Sequence, residues 1–463
     1  MRVFLINPRP SSQFETFLPV KDSLPPLGLA FLGSSLEKAG HEVNIFDNYL
    51  FRVPIVEVIK RAGKFNADII GITCMSMSFS EVKKTVSAIK DVFQVPVVMG
   101  GPHATLRPAQ TLLKTRADIV VRGEGELSFN RLIDCLEKKR NLTQLRGISY
   151  RENGKIIHNP PQALIKNLDK LPPPAWHLLP MKDYPRKSEL LNLYPLDSHN
   201  TSRGCPFFCA FCSVRNLWGR TFRSFSPERM VEDVKFLMEK FGTKGIYFRE
   251  DNFTVSKKRV FKFCNLIKKD KLDFRWICES RVDLVDFEIL TTMKKAGCDY
   301  IWFGVESASP RILQYINKGI TVEKTIKAFQ LCKRVGIRTG ASLMVGIPQE
   351  TINEVQKTLK LRVKLFQDFG SDVWVNIFSG IPGSLLYDSI VQKGWFKNMD
   401  ESGICEVVTP EFDKEMLIRI VNSSNAEMAL KPRFILRKLR NVKSLKELTS
   451  LQRAFLHLLK FRR

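Results

Sequence analysis

The chain has 463 residues, of which 44% are hydrophobic, 10% aromatic and 26% charged. This composition is that of an ordinary globular protein with roughly three domain-sized units, and it excludes an intrinsically disordered chain, a collagen-like repeat and a small disulfide-rich protein. The 73 Lys and Arg residues outnumber the 47 Asp and Glu residues, which gives a formal net charge of +26. Such an excess predicts an anionic partner: a nucleic acid, a membrane surface or a phosphorylated substrate.

The amino-terminal segment is expected to be neither a secretory signal nor a membrane anchor. Its short apolar run, residues 3–7, is followed by Pro8 and Pro10. No stretch approaches the roughly 18 uninterrupted apolar residues of a membrane-spanning helix. We therefore predict a cytoplasmic protein, free or bound peripherally to a membrane. Thiols stay reduced in that compartment, so the ten cysteines are not expected to form a disulfide framework.

Residues 1–140 alternate short apolar segments with helical patterns, which predicts an α/β domain with a doubly wound parallel sheet. Runs such as residues 69–73 and 95–99 are apolar on both faces, as strands covered by helices on both sides must be. Ligands of such a domain bind at the carboxyl ends of its strands. The predicted strands are residues 3–7, 41–47, 67–73, 95–101 and 117–123.

Residues 141–190 interrupt this alternation. They contain a predicted small hairpin that turns at Asn153 and Gly154, followed by a proline-rich stretch with three consecutive prolines at 172–174. Consecutive prolines favour a stiff, extended chain. We therefore interpret this region as the linker between two domains.

Residues 191–395 resume the alternation with about six strand–helix units. A closed eight-unit barrel usually needs about 250 residues, so this count favours an open six-unit barrel. Chemistry is then expected at the carboxyl ends of the strands. The predicted strands are residues 199–203, 244–251, 274–280, 299–307, 339–348 and 372–379.

Residues 396–463 are predicted to form a helical, basic carboxyl-terminal region. Its last part, residues 431–463, carries eleven Lys or Arg residues and one acidic residue, Glu447. Leucines recur there at three- and four-residue steps, which is typical of a basic amphipathic helix. Such a helix either packs on the barrel with a solvated basic face or binds a partner. An anionic membrane is favoured over a nucleic acid, because aromatic residues that stack on bases are nearly absent.

Three cysteines are crowded in the loop after the first barrel strand: Cys205, Cys209 and Cys212. Structural zinc prefers four ligands, and no fourth Cys or His stands at a matching distance along the chain. Three thiolates suit a 4Fe–4S cluster that keeps one iron open for a substrate or cosubstrate. The other seven cysteines are scattered and are expected to be small core residues.

Cys-x3-Cys-x2-Cys after the first strand of a six-unit barrel resembles the radical S-adenosylmethionine (SAM) superfamily. The resemblance implies that the three cysteines hold the cluster and that SAM chelates the open iron. An electron then cleaves SAM to methionine and a 5′-deoxyadenosyl radical. The aromatic residue between the second and third cysteines, here Phe211, is implied to lie against adenine.

Later strand ends carry the other residues that this resemblance assigns to SAM. Glu250 and Asp251 match the acidic segment that faces the methionine amino group. Glu306 matches the polar residue that reaches the ribose, and Lys318 matches the basic residue that pairs with the carboxylate. Two further positions, at the fifth strand and in the Gly-x-Pro loop that approaches adenine, are Ser342 (often acidic in relatives) and Gly346.

The amino-terminal domain resembles the cobalamin-binding domain of cobalamin-dependent radical SAM enzymes. The segments that carry this resemblance include LPPLGL at 24–29, GGPHAT at 100–105 and RGEGE at 122–126. Residues 7–27 contain no histidine, so the usual lower cobalt ligand is absent and the lower face is expected to be open or occupied by another group. The residues expected at cobalamin are Ser76, Ser78, Gly100, Gly101, His103, Gly123 and Glu124.

The leading hypothesis is a cobalamin-dependent radical SAM methyltransferase that methylates an unactivated carbon of a small molecule or lipid. A non-methylating radical cyclase, oxidase or rearrangement enzyme shares the same motifs. An RNA-modifying radical SAM enzyme is less favoured, because the grouped amino-terminal cysteines of such methylthio-transferases are missing. A cobalamin-binding sensor with an inactive barrel conflicts with the intact cysteine triad. The reaction implies an electron donor such as flavodoxin or ferredoxin.

Overall fold

The computed structural model describes residues 1–14, 23–188, 190–191, 193–432 and 434–436. The segment predicted to be a basic amphipathic helix lies outside these described residues from residue 437 onward. In the described part of the chain, no helix combines the length and the hydropathy that crossing a lipid bilayer requires.

Seven of the described strands form the amino-terminal sheet: β1 (Arg2–Asn7), β2 (Glu42–Asp47), β3 (Ile69–Thr73), β4 (Val97–Gly100), β5 (Ile119–Val121), β6 (Ile148–Glu152) and β7 (Lys155–His158). Their order across the sheet is β2-β1-β3-β4-β5-β6-β7, and β1 to β5 are mutually parallel. The last two strands are antiparallel.

Helices cover both faces of this sheet: α1 (Leu27–Lys38), α2 (Asn48–Phe51), α3 (Ile55–Lys64), α4 (Phe79–Val92), α5 (Gly101–Leu106), α6 (Pro108–Lys114) and α7 (Gly125–Glu137). Apolar residues of α1 and α7 pack on one face, and those of α3 and α4 pack on the other. The predicted doubly wound domain is therefore confirmed.

The predicted hairpin forms, but it belongs to the amino-terminal sheet rather than to a linker. Tyr150 of β6 pairs with Ile119 of β5, so the hairpin extends the sheet beyond its last parallel strand. The proline-rich segment that follows is also fixed, because the Ala175 N–H donates to the Ala30 carbonyl and Trp176 is buried. The connection between the two domains is thus packed against α1.

Six further strands in the described residues form a second, wholly parallel sheet: β8 (Leu196–His199), β11 (Gly245–Phe248), β12 (Arg275–Ser280), β13 (Cys298–Glu306), β14 (Arg338–Val345) and β15 (Asp372–Ile377). Their order is β15-β14-β13-β12-β11-β8, and β8 and β15 are its edges. This confirms the predicted open six-unit barrel. Between β8 and β11 lie the short strands β9 (Ser202–Arg203) and β10 (Arg223–Ser224).

The helices around the barrel are α8 (Val214–Trp218), α9 (Pro227–Phe241), α10 (Lys257–Lys269), α11 (Phe287–Lys295), α12 (Pro310–Tyr315), α13 (Val322–Val335) and α14 (Ile352–Phe369). Local sequence explains their limits. For example, α9 begins after Ser226, whose hydroxyl accepts from the Arg229 N–H, and ends at Gly242, which has a left-handed φ of +62°.

The carboxyl-terminal region differs from the helical prediction. Its described part contains β17 (Phe396–Met399), β18 (Cys405–Val407) and α16 (Lys414–Ala429), and it is preceded by β16 (Ser379–Gly380) and α15 (Leu385–Lys393) at the end of the barrel segment. The three strands form an antiparallel sheet in which Cys405 is buried. This sheet returns to the amino-terminal domain, where Arg107 donates to the Tyr387 hydroxyl at 2.6 Å and Lys83 pairs with Glu401 at 3.0 Å.

Candidate active site

The cysteine loop, residues 204–222, leaves the barrel at the carboxyl end of β8. Its cysteines at 205, 209 and 212 are half-buried, whereas the seven scattered cysteines are buried. Burial raises the pKa of the Cys205 thiol and raises the pKa of Cys212 to about 11, and the Asp251 carboxylate adds to both shifts. Such thiols lose their protons when they bind a metal ion.

The three thiols suit a 4Fe–4S cluster because thiolates are the usual ligands of its irons. In a 4Fe–4S cluster each thiolate binds a different iron, so the three sulfur atoms do not have to meet at one point. The donor set and its loop therefore fit a cluster with one open iron.

Arg281, after β12, lies against the cysteine loop. Its Nη1 is 3.9 Å from Cys209 Sγ, and its guanidinium lies 3.8 Å from the centre of the Phe207 ring. A second guanidinium nitrogen donates to the Lys318 carbonyl at 2.7 Å. The sequence does not identify this residue as part of the site, because a single arginine after a strand has no spacing that distinguishes it from a surface charge.

Three of the residues expected at SAM are neighbours in the structure. Lys318 Nζ is 2.7 Å from Glu306 Oε1 and 5.7 Å from the centre of the Phe211 ring. Both charged side chains are buried. The ion pair occupies space above the bare α-carbon of Gly304, since a β-carbon there would stand 2.7 Å from Glu306 Oε1 and 2.8 Å from Lys318 Nζ. A glycine at this position makes room for the pair.

Glu250 and Asp251 have different surroundings, although they are adjacent in the sequence. The Glu250 carboxylate is fully buried and accepts from Ser202 Oγ at 2.5 Å and from Arg259 Nη2 at 3.1 Å. It therefore supports the start of the cysteine loop instead of facing the cleft as expected. Asp251 is exposed, but the surrounding protein and the nearby Glu279 carboxylate raise its pKa to about 6.

The fifth-strand positions are also engaged by protein. Trp302 Nε1 donates to Ser342 Oγ at 2.7 Å, which fixes the position of this hydroxyl and leaves its O–H group able to donate. Gly346 has a left-handed φ of +80°, and a β-carbon there would clash with Leu417 of α16. Its N–H donates to Glu350 Oε2 at 2.7 Å, which fixes the loop that follows β14.

The inner wall of the barrel has an aromatic half and a polar half. Trp302 and Trp374 meet edge to face at 4.9 Å between ring centres, and Trp374 is 63% exposed. On the other half, the Tyr247 hydroxyl donates to Glu279 Oε1 at 2.6 Å. The wall therefore offers apolar surface next to groups that can bind polar atoms.

Two of the residues expected at cobalamin form a pair at the carboxyl ends of β3 and β4. Ser76 Oγ is 3.0 Å from His103 Nδ1, and the buried His103 Nε2 has no hydrogen-bond partner among the described residues. Burial lowers the pKa of His103 to about 4, so the imidazole is neutral near pH 7. An unpartnered, buried ring nitrogen at this edge of the sheet fits a bound polar group.

The neighbouring expected residues are used by the backbone. Ser78 Oγ donates to the Met75 carbonyl at 3.0 Å and faces its own turn. Gly100 and Gly101 lie where β4 passes close to β3. Gly101 has a φ of +87°, and a β-carbon there would stand 2.6 Å from Thr73 Oγ1. Glycine at 101 is therefore required by the fold itself.

Gly123 and Glu124 follow β5 at the same edge. Gly123 has open space beside its α-carbon, as a ligand-facing glycine would. Glu124 differs from the expectation, because it does not face this space. Its Oε1 accepts from Arg203 Nη1 at 2.7 Å and from Arg223 Nη1 at 2.8 Å, and its side chain is 2% exposed. Glu124 thus joins the two domains.

Comparisons with known proteins agree with this architecture. The Radical SAM superfamily model matches residues 199–362, and the B12 binding domain model matches residues 17–133. An uncharacterized methyltransferase of Pyrococcus horikoshii is 35% identical over 445 residues, which are 94% of this chain and 94% of that protein. An anaerobic magnesium-protoporphyrin IX monomethyl ester cyclase of Rubrivivax gelatinosus is 28% identical over 78% of this chain, which spans 65% of the cyclase.

A solved structure shows the same fold over the whole chain. The cobalamin-dependent S-adenosylmethionine radical enzyme OxsB superposes with a TM-score of 0.78 at 20% identity, covering 100% of this chain and 71% of OxsB. The fold and the site define a radical SAM enzyme whose barrel follows a B12-binding domain. The chain belongs to the cobalamin-dependent radical SAM family. Its cofactors are a 4Fe–4S cluster, SAM and cobalamin.

Proposed function

We propose that this enzyme transfers a methyl group to an unactivated carbon of a small molecule or lipid. A direct contact between Arg203, two residues before the first loop cysteine, and Glu124, at the carboxyl end of β5, supports a reaction that uses both domains, and a relative over the whole chain carries the choice of methyl transfer. This contact holds the strand ends of both domains at one cleft. The relative from Pyrococcus horikoshii, which matches nearly the whole chain, is named a methyltransferase.

The arrangement suits a reaction that needs two cofactors near one carbon atom. When bound, the cluster and SAM would supply a radical for hydrogen abstraction, and cobalamin would supply a carrier for the methyl group. A radical is short-lived, so its partner must already be within contact distance of the substrate. The ion pairs between the domains keep the two edges at a fixed separation.

We assign roles to this chain's residues on the contacts described above. Cys205, Cys209 and Cys212 hold the cluster. Phe211, Asp251, Glu306, Lys318 and the Gly346 backbone bind and orient SAM, whereas Glu250 and Ser342 act through their protein partners. Ser76, Gly100, Gly123 and His103 line the cobalamin edge, and Ser78 and Gly101 shape its turns.

The inner wall contributes the substrate site. The exposed face of Trp374, beside Trp302, covers an apolar part of the substrate and excludes water from the reacting carbon. Glu279 and Tyr247 orient a polar part from the opposite half of the wall.

Radical cyclisation is the second candidate. It is favoured by the cyclase of Rubrivivax gelatinosus, which matches 78% of this chain. The cysteine loop and the strand-end contacts serve that reaction equally well, because they act before the substrate radical reacts further. The two candidates differ in the fate of the methyl group of SAM.

Product analysis distinguishes the two candidates. The reconstituted holoenzyme is incubated anaerobically with a chemical reductant, methyl-labelled SAM and a small-molecule and lipid extract. Methyl transfer yields S-adenosylhomocysteine and 5′-deoxyadenosine in nearly equal amounts, and an extracted compound carries the label. A product without the label, formed with 5′-deoxyadenosine and no matching S-adenosylhomocysteine, contradicts methyl transfer and supports cyclisation.

The proposed partners follow from the chemistry. Reductive cleavage of SAM needs an external one-electron donor, and we propose a flavodoxin or a ferredoxin. Membrane contact through residues 431–463 stays a prediction from the sequence, since most of this segment lies outside the described residues. Removal of residues 437–463 should then reduce binding to anionic liposomes, and this reduction should be smaller at high salt.

A further inference from the structure

The cysteine loop is closed at its base by a two-stranded ladder. Arg203 of β9 pairs with Arg223 of β10, and Ser202 pairs with Ser224. All three cluster cysteines lie in the loop between these strands. Anything that fixes the ladder therefore fixes both ends of the loop.

Two carboxylates of the amino-terminal domain hold this ladder. Glu124 accepts from Arg203 and from Arg223, and Glu126 accepts from the second Nη atom of Arg203. The side chains are 2% exposed for Glu124, 6% for Glu126 and 13% for Arg203. Burial makes these hydrogen-bonded ion pairs sensitive to geometry, because a displaced partner leaves a charge without compensation.

The same carboxylate is tied to the edge of the cobalamin domain. Glu124 Oε2 accepts from the Ile165 N–H at 2.6 Å, and the preceding residue, Gly123, donates its N–H to Thr105 Oγ1 at 3.0 Å. Gly123 has open space beside it at the carboxyl end of β5, the edge where doubly wound domains bind ligands. Gly123 thus borders the expected cobalamin site, and the next residue, Glu124, binds the two arginines at the base of the cysteine loop.

We propose that cobalamin binding and cluster assembly are energetically coupled through the contact between Arg203 and Glu124. A cluster bound to the cysteines orders residues 204–222 and fixes the ladder. The ladder then fixes Glu124 and the Gly123 backbone, so cobalamin meets an edge that is already in place. Coupling between two sites is reciprocal, and bound cobalamin must therefore stabilise the cluster loop to the same degree.

Arg203 is a positioning residue in this scheme, because it acts through the ends of the cysteine loop. Its planar guanidinium satisfies two carboxylates at once. A lysine keeps the positive charge but has a single ammonium group, which does not reproduce this forked geometry. Arg203→Lys therefore tests the geometry separately from the charge.

The experiment is a titration of aquacobalamin into the full chain, once with the cluster reconstituted and once without it, followed by visible absorbance under anaerobic conditions. The wild-type protein should bind cobalamin about fivefold or more tightly when the cluster is present. In Arg203→Lys the ratio of the two dissociation constants should fall to about one. The readout is binding, so it does not depend on which reaction the enzyme catalyses.

A matched control uses another contact between the domains. Lys83→Met removes the exposed ion pair with Glu401, which is far along the chain from the cysteine loop, and it should keep the wild-type ratio. Glu126→Gln leaves Glu124 in place and should give an intermediate ratio, so it decides the question if Arg203→Lys fails to fold. A wild-type ratio of one, or wild-type ratios in Arg203→Lys and Glu126→Gln, overturns the proposal.

The reciprocal measurement gives a second, independent readout. Saturating cobalamin should slow the loss of iron to a chelator in the wild-type protein, and by the same mechanism it should have no effect in Arg203→Lys. If cobalamin protects the cluster equally in both proteins, the coupling does not pass through Arg203 and the proposal fails.

Discussion

Adjacent residues of β9 are held by carboxylates from two different domains. Ser202 donates to Glu250, which lies within the barrel and pairs with Arg259. Arg203 binds Glu124, which belongs to the amino-terminal domain. The first contact lies within the barrel, and the second joins the barrel to the amino-terminal domain. We therefore expect the ion pair within the barrel, between Glu250 and Arg259, to control the free energy of unfolding. We expect the ion pair between the domains, between Glu124 and Arg203, to control cofactor affinity.

The largest effect should follow from removing a cysteine of the loop that both ion pairs support. In Cys209→Ala, the iron content of anaerobically reconstituted protein should fall from about four per chain to less than about one, and reductive cleavage of SAM should be lost. Iron analysis and chromatography of 5′-deoxyadenosine measure the two effects. Cys264→Ala, at a buried cysteine of α10, is the control and should keep its iron. Full iron and SAM cleavage in Cys209→Ala would refute the ligand assignment.

Glu250→Gln breaks the ion pair within the barrel. It leaves the buried Arg259 guanidinium without its carboxylate, which should lower the free energy of unfolding by about 3–5 kcal/mol. Denaturant unfolding of the protein without its iron–sulfur cluster measures this loss. Glu228→Gln, at an exposed pair with Lys262, should leave the unfolding midpoint unchanged. Equal midpoints for Glu250→Gln and the wild type would show that Glu250 does not stabilise β9.

Glu350 is a third buried carboxyl group to compare with Glu250 and Glu124, and backbone N–H groups donate to it. Burial raises the pKa of Glu350 to about 7, although its Oε2 accepts from the Gly346 and Ile347 N–H groups. The folded protein therefore holds a proton that the unfolded chain releases near pH 4.3. Stability should fall as the pH rises from about 4 to about 7, by at most about 1.4 kcal/mol per pH unit.

Unfolding measured at several pH values tests this expectation, with Glu350→Gln as the comparison. The variant cannot ionise at this position, so its stability should lack this decrease across the same window. A parallel pH dependence in both proteins would show that the wild-type decrease arises from other groups.

The barrel half of the site could largely be predicted from the sequence. Its candidate residues follow different strands, and a parallel barrel brings all carboxyl ends of strands to one edge. The structure does place Phe211, Glu306 and Lys318 in contact there, and their binding of SAM stays a prediction. The sequence does not show which of Glu250 and Asp251 faces the cleft. Two neighbouring residues at a strand end face opposite directions, and either order fits the pattern.

The cobalamin half was less predictable for a physical reason. Its polar candidates lie in turns, where a hydroxyl or carboxylate can bind either a ligand or the protein, as Ser78 and Glu124 show. The carboxyl-terminal sheet was missed because its strands have only two to four residues, too few for a period of two to be recognised. The hairpin itself was predicted, but its pairing with β5 depends on contacts distant in the sequence.

The conformation of Glu306 limits how this protein can be improved by design. Its φ of +68° is unfavourable for a residue with a side chain, and such positions cost on the order of 1–3 kcal/mol. Glycine or asparagine at 306 would relieve this cost. Either choice would leave Lys318 buried without its carboxylate, which should cost about 3–5 kcal/mol. The loss exceeds the gain, so a strained backbone at the end of β13 is not by itself a place where stability can be added.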